Sequence, residues 1–379
     1  MLAKKHQTSV LSGNRLHLSE GPIDLVIWAD GEPGAVAEAY RGAERRFDGL
    51  LAELCSELPR LRVPLGDTFP EFQSPIARRM AEACWPHRAV YITPMAAVAG
   101  AVAEAVLAAM TMAAPITRAY INNGGDIALH LTPATSLAIG VVRSLENAVP
   151  EGEVRIGYDM PVRGIATSGR HGRSFSLGIA DAVTVLASDA PSADAAATLI
   201  ANSVNIDDPA IVRRRARDLD PDSDLGDLPV VVDVGPLSPA QIAAALDAGV
   251  TCAETLRRAG LIEAALLSYW DPADALRIYE QAGLEGELIS VQGTDCYLLW
   301  QDESVIVAFR GTESDRWDDV LTDVQFAQMP WGSGKVHKGF ENAARAIWPA
   351  LEAALAPLAA TRTVWFTGHS LGAALATLG

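Results

Sequence analysis

Short apolar, β-branched runs alternate with longer amphipathic stretches along the first two-thirds of the chain. The short runs are typical of strands, and the longer stretches, with apolar residues every three or four positions, are typical of helices. The pattern predicts strands at residues 23–29, 89–93, 117–121, 127–131, 162–167, 179–187 and 228–234. It predicts helices at residues 33–58, 75–84 and 94–116 and one that opens at Pro191. A last helical stretch runs from Ser238 to about residue 267, with Gly249 and Gly260 as possible breaks.

The pattern of predicted helices and strands changes near residue 265. Beyond it, residues 287–300 and 304–309 predict a β-hairpin, residues 317–326 and 339–358 predict helices, and a last strand leads to Ser370. A length of 379 residues is enough for about two to three domains. We therefore expect a domain at residues 1–265 and a second at residues 266–379, with mixed α/β and α+β character and no Gly/Ser/Pro linker between them.

Charge and cysteine content exclude several functions. The net charge is -17, from 47 acidic and 30 basic residues, which argues against nucleic acid and other polyanionic partners. The four cysteines lie far apart without a CxxC pair, so neither a zinc site nor a disulfide framework is indicated. Without an export signal, these free thiols predict a cytoplasmic protein.

Residues 94–116 have the length of a membrane span. They are mostly alanine, however, and contain Glu104, while the leucine and phenylalanine that drive insertion are scarce. We favour a buried, tightly packed helix over a transmembrane segment.

Three short segments between residues 117 and 202 suit a nucleotide phosphate. The turn at Gly124 and Gly125 allows backbone to approach a ligand, and Asp126 can accept from a ribose or base. A second turn, formed by Thr167, Ser168 and Gly169 with Arg170 and Arg173 beside it, offers donors to a pyrophosphate. Each segment also has an ordinary structural explanation, as a hairpin turn or a loop.

The third segment is a helix that carries Asp194 and Thr198 one turn apart. At this spacing a carboxylate and a hydroxyl lie on one helix face, and such hard oxygens suit Mg²⁺. The alternative is a helix terminus with a favourably placed acid.

Together, NNGGDI, GIATSG and SADAAAT resemble the ApbE-like flavin transferases, which use Mg²⁺ and FAD to attach FMN to a protein threonine. PMAAVAG, GRSFSLGIAD and ADAAATLIAN resemble the uncharacterised bacterial branch of that superfamily, over roughly residues 10–265. The resemblance implies an α+β domain in which Gly124, Gly125 and Asp126 line the flavin site. It also implies that Thr167 to Gly169 lie near the phosphates, and that Asp194 and Thr198 hold the metal.

Two features depart from the transferase pattern. Ala99 stands where the transferases have a lysine before Gly100, and their Asp-Pro-x-Thr-Gly loop is missing between Ser176 and Ala187. Flavin binding without transfer therefore stays open as an alternative.

The sequence VWFTGHSLG near the C-terminus predicts a strand, a sharp turn and a helix around Ser370. The GxSxG spacing in this context is typical of a nucleophile elbow, which exposes a serine hydroxyl next to amide donors. FRGTESDRWDDVLTDV, VHKGF and FTGHSLGAALATL stand in the order found in class 3 lipases, which this region resembles. The resemblance implies an α/β-hydrolase fold acting on acyl esters in lipid metabolism, with Ser370 as nucleophile and Thr312 and Leu371 as oxyanion donors.

In α/β-hydrolases the acid and the histidine of the triad follow the serine along the chain. The nine residues after Ser370 contain neither. The sequence predicts an incomplete hydrolase domain, from a fragment or a truncated fusion. A non-catalytic protein with a flavin- or nucleotide-binding domain and a relic lipase segment remains the alternative.

Overall fold

A computed structural model describes residues 6–141, 152–172, 174–269, 285–291, 294–301, 304–309, 328–331 and 334–368. The chain divides into two compact units, the larger extending to Tyr269 and the smaller beginning at Trp270.

An antiparallel sheet of eight strands forms the frame of the larger unit, in the order β1-β2-β3-β4-β5-β8-β9-β12. Its strands are β1 (Gln7–Leu11), β2 (Arg15–Glu20), β3 (Ile23–Asp30), β4 (Arg118–Asn123), β5 (Asp126–Leu131), β8 (Gly164–Ser168), β9 (Ala182–Ala187) and β12 (Ala264–Ser268). Burial alternates along β3, β4 and β9, as expected for strands whose two faces meet different surroundings. Two further hairpins pair β6 (Ser136–Val141) with β7 (Gly152–Gly157) and β10 (Ile211–Arg215) with β11 (Pro229–Val234).

Helices pack on one face of this sheet. They are α1 (Pro33–Phe47), α2 (Leu50–Leu61), α3 (Pro75–Cys84), α4 (Val98–Ala113), α5 (Ala190–Ser203), the short α6 (Ala216–Leu219) and α7 (Pro239–Arg258). Helices α1 and α4 share a core with β2, β3 and β4, and α5 and α7 share a second core with β8 and β9. The β6–β7 hairpin contributes Leu137 and Ile156 to a smaller cluster on the opposite face.

The helix predicted at residues 33–58 is two helices. Gly49 separates α1 from α2 and has a left-handed backbone with φ of 80°. The apolar spacing continues across the break, so the periodicity did not reveal it. A glycine adopts this conformation without a steric penalty, and the chain turns there.

Replacing Gly49 with alanine tests this turn. A Cβ at this position would meet no atom within 4 Å, so the substitution adds only backbone strain. We expect a loss of about 1 kcal/mol in the free energy of unfolding, measured by urea denaturation, and a smaller loss for Gly49→Asn, since asparagine tolerates left-handed backbone. Equal stability of Gly49→Ala and the wild type would contradict the assignment.

Two other predictions were wrong. Residues 89–93 form no strand: Val90 and Tyr91 are exposed, and the Ile92 carbonyl accepts from the Leu65 amide in a loop contact. The helix that Ser238 caps ends at Arg258 rather than near residue 267, and Gly260, with φ of 70°, follows the end. Residues 264–268 then form β12 beside β9, because sheet pairing overrides the helical preference of alanine and leucine.

The segment Pro94–Ala113 is long and apolar enough to cross a membrane by composition alone. In the structure it is a short 3₁₀ turn followed by α4, whose Ala101, Val102, Ala103 and Val106 are buried in the core. Core helices of this composition are common, so the expectation of a packed helix agrees with its position.

The smaller unit contains a mixed sheet in the order β13-β14-β15-β18. Its strands are β13 (Glu285–Val291), β14 (Thr294–Gln301), β15 (Ser304–Phe309) and β18 (Thr363–Gly368). The predicted hairpin is therefore a three-stranded meander, in which residues 287–300 belong to two strands. Helix α8 (Lys338–Ala359) packs Ile347 and Leu351 against this sheet, and β16 (Gln328–Trp331) pairs with β17 (Gly334–His337). The helix predicted at residues 317–326 lies outside the described residues.

Candidate functional site

The predicted glycine turn joins β4 to β5. Gly124 and Gly125 have φ of 68° and 114°, values that side-chain-bearing residues rarely adopt. The side chain of Asn122 accepts a hydrogen bond from the Gly125 amide at 2.8 Å, which closes the turn. Asn123 and Asp126 face each other across the two strands, and both are buried.

Asp126 connects the glycine turn to the second predicted segment. Its Oδ1 accepts from the backbone amide of Thr167 at 3.2 Å. The Thr167 hydroxyl is exposed and lies 2.9 Å from the Thr184 hydroxyl. A Cβ built on Gly125 would meet only the Cβ of Thr167, at 4.0 Å, so there is room for a ligand beside the turn. These hydroxyl groups and the open glycine suit a nucleotide ligand in their chemistry.

The rest of the second segment has a packing role. A Cβ on Gly169 would lie 2.2 Å from the carbonyl oxygen of Asp181, so this glycine allows close backbone contact within the protein. Arg170, expected beside a pyrophosphate, donates to the Asp181 carboxylate at 2.8 Å. Ser168 ends β8 and is half-buried. Arg173 lies outside the described residues.

Asp194 lies in the second turn of α5, after the cap formed by Asp189. Its Oδ2 accepts from the Gly100 amide at 2.9 Å, at the start of α4. Burial raises the pKa of Asp194 to about 7, although the amides of Gly100 and Ala99 act in the opposite direction. Burial also raises the pKa of the Cys84 thiol, and the nearby Asp194 adds to that effect.

Asn123 approaches the same point from the sheet. Its side-chain amide donates to the carbonyl oxygen of Ala99 at 3.1 Å. Because this carbonyl and the Gly100 amide belong to one peptide group, Asn123 and Asp194 hold a single peptide from its two ends. Gly100 is needed here, since a Cβ would lie 2.4 Å from the carbonyl oxygen of Ala190.

The structure thus links the three predicted segments through the first turn of α4. We call this arrangement the α4 junction; it comprises the Ala99–Gly100 peptide, Asn123, Asp126, Thr167 and Asp194. The sequence analysis missed the role of Asn123. Its position directly before two glycines was the only signal available, since the contact with Ala99 depends on how α4 packs.

The two predicted metal ligands, Asp194 and Thr198, do not by themselves form a complete metal site. Thr198 is half-buried on α5, one turn after Asp194. A carboxylate and a hydroxyl suit Mg²⁺ in chemistry, and proteins often bind this ion with one or two such ligands plus substrate phosphates. Within the described residues no group of three His, Cys, Asp or Glu side chains could hold a metal. The pair would therefore depend on a ligand to complete the coordination.

Ser370, Leu371 and Thr312 lie outside the described residues. The strands before them are described, however. Strand β15 pairs in parallel with β18, and Phe309 stands opposite Gly368 at the carboxyl ends of both strands. Strands β15 and β18 therefore end at the same edge of the sheet.

These features define the class of the protein: an α+β domain with a polar junction at a helix start, followed by a segment with α/β-hydrolase strand pairing. A class 3 lipase family matches residues 306–379, in agreement with the second part. The family described as "AbpE bacteria" matches residues 7–275, and the chain belongs to that family.

Relatives in methanogenic archaea are similar to part of the chain. A UPF0280 protein of Methanopyrus kandleri is 40% identical over 143 residues, which are 37% of this chain and 54% of the relative. A UPF0280 protein of Methanoregula boonei is 42% identical over 123 residues, which are 31% of this chain and 49% of the relative. The chain spans about half the length of these curated relatives.

Among solved structures, the apo flavinyl transferase ApbE of Pseudomonas stutzeri is 13% identical, with a TM-score of 0.30, over 53% of this chain and 84% of that protein. A variant of the flavin transferase ApbE of Vibrio cholerae is 15% identical, with a TM-score of 0.32, over 52% of this chain and 85% of that protein.

Proposed function

We propose that the larger unit binds a flavin nucleotide, FAD or a close relative, at the α4 junction. The observation that carries this proposal is the hydrogen bond from Thr167 to Asp126, beside the open space at Gly125. It brings a glycine turn, a buried carboxylate and exposed hydroxyl groups to one place. Family membership adds support, because NNGGDI, GIATSG and SADAAAT resemble the flavin transferases of this superfamily.

Each predicted residue has a role in this proposal. Gly124 and Gly125 let the ligand approach backbone, and Asp126 fixes the turn against β8. The segment from Thr167 to Gly169 borders the phosphates, for which the Thr167 hydroxyl is the exposed donor. Asp194 and Thr198 would hold Mg²⁺, which would neutralise phosphate charge when bound.

The residues of the chain favour binding of a flavin without transfer of FMN. Ala99, whose carbonyl oxygen is held by Asn123, stands where the related transferases have a lysine. An alanine side chain has no group that could move a proton or contact a phosphate. The chain therefore supports binding of a flavin better than transfer of FMN to a protein threonine. A cytoplasmic location fits the free cysteines Cys55, Cys84 and Cys252 among the described residues.

Titration of the full chain with FAD, followed by flavin fluorescence and calorimetry, tests the proposal. We expect saturable binding that Mg²⁺ strengthens. Thr198→Val keeps the shape of the side chain but removes the oxygen, so it should reduce the Mg²⁺ effect about tenfold, as loss of one ligand or buried polar contact commonly does. Ser203→Ala on the same helix is the matched control and should bind as the wild type does. No saturable FAD binding with or without Mg²⁺ would contradict the proposal.

For the smaller unit we propose the nucleophile-bearing half of a serine ester hydrolase. The parallel pairing of β15 and β18 carries it, because their carboxyl ends precede Thr312 and Ser370. Ser370 would attack an acyl ester, and the amides near Thr312 and Leu371 would stabilise the oxyanion. The sequence contains no acid or histidine after Ser370, so the rate of the chain as given should be low.

Hydrolysis of p-nitrophenyl butyrate by the full chain and by Ser370→Ala tests this second proposal. A slow rate that the substitution abolishes supports Ser370 as nucleophile. Equal rates for the two proteins would remove the support.

A further inference from the structure

Asn123 is one of two adjacent asparagines at the end of β4, and the two have different partners. Asn122 is half-buried and uses its side-chain oxygen to accept from Gly125. Asn123 is 6% exposed and donates its side-chain N–H to Ala99, while its oxygen lies 3.5 Å from the Asp24 amide. Both contacts of Asn123 agree on one orientation of its amide group, which makes it a donor toward α4.

The peptide that Asn123 holds is restrained by two elements, α5 and β4. Asp194 on α5 accepts from its N–H, Asn123 on β4 donates to its carbonyl, and Ala190 packs against the Gly100 Cα. Loss of Asp194 would leave the Gly100 N–H in the first turn of α4 unpaired, and loss of Asn123 would remove the hydrogen bond that joins β4 to this turn. The position of the first turn of α4 relative to the Gly124–Gly125 turn is therefore set by this contact.

We propose that Asn123 is a positioning residue of the flavin site, which holds the first turn of α4 at the distance from the glycine turn that the ligand requires. This inference rests on the proposed flavin binding. Asn123 itself need not touch the ligand, because it acts through the Ala99–Gly100 peptide.

Substitution of each asparagine by aspartate gives a matched pair. Both variants keep the side-chain shape and add one negative charge at neighbouring positions. Asn122→Asp keeps the acceptor for Gly125, whereas Asn123→Asp has no donor for Ala99. We expect Asn123→Asp to weaken FAD binding about tenfold more than Asn122→Asp does, and to shift the visible spectrum of bound FAD. Asn123→Ala, which adds no charge, should show the same direction if Asn123→Asp does not fold.

Hydrogen exchange measured by mass spectrometry separates this inference from the function on which it rests. In the ligand-free chain, Asn123→Ala should increase exchange at the Gly100 amide about tenfold and leave α3 unchanged. Unchanged exchange at Gly100 would overturn the positioning role even if the wild type binds FAD. Equal binding constants and identical flavin spectra for the two aspartate variants would overturn it too. Failure of the wild type to bind FAD, with increased exchange at Gly100, would reject the flavin site but keep the restraint on the peptide.

Discussion

Gly100→Ala should destabilise the larger unit by about 3 kcal/mol, a large effect for the addition of one methyl group. The new Cβ would lie 2.4 Å from the carbonyl oxygen of Ala190, 2.6 Å from its carbonyl carbon and 2.8 Å from the nitrogen of Pro191. All three atoms are backbone of the first turn of α5, so no side chain can move aside. Helices α4 and α5 would have to separate, and the bond between Asp194 and Gly100 would lengthen. Urea denaturation followed by circular dichroism measures the change.

A second helical glycine provides the control. A Cβ on Gly34 in α1 would meet no atom within 4 Å. Alanine is the better helix former by up to about 1 kcal/mol, so Gly34→Ala should leave stability unchanged or raise it slightly. The two substitutions are chemically identical, yet only Gly100→Ala should destabilise the protein. Similar effects at both positions would show that α4 and α5 are not in the close contact described here.

Helix and strand positions followed from the sequence where local periodicity and packing agree. Helix α3 spans the predicted residues, because Pro75 opens it, Ser74 caps it, and its apolar face is continuous. Strands β4 and β5 with the glycine turn were also predicted, since the turn residues allow few alternatives. In both places the sequence signal is local, and the tertiary structure does not override it.

The errors arose where tertiary contacts decide the structure. Residues 264–268 favour a helix by composition, yet all of them pair with β9. Similarly, the contact between Asn123 and Ala99 joins positions 24 residues apart. No periodicity encodes such a contact, because it depends on the packing of α4 against the sheet. The candidate residues were therefore predictable, whereas the peptide that links them was not.

Asp194 should make the larger unit less stable as the pH rises from about 4 to about 7. Burial raises the pKa of this carboxyl to about 7 in the folded chain, whereas an aspartate in the unfolded chain titrates near 3.9. Between these values the folded state holds a proton that the unfolded state has released, so the free energy of unfolding falls with pH. The difference of about 3 pKa units corresponds to on the order of 4 kcal/mol.

Asp194→Asn isolates this contribution from the other titrating groups. Unfolding free energies of both proteins would be measured by urea denaturation from pH 4 to pH 8 in EDTA, because a bound cation would lower the pKa of the carboxyl. The wild type should lose stability relative to the variant as the pH rises, with the loss complete above the folded pKa of about 7. A constant difference between the curves, or one that favours the wild type at high pH, would show that the carboxylate is charged in the folded protein at all these pH values. In that case its bonds to Gly100 and Ala99 would outweigh the cost of burial, and Asp194 would be ready to bind a cation without first losing a proton.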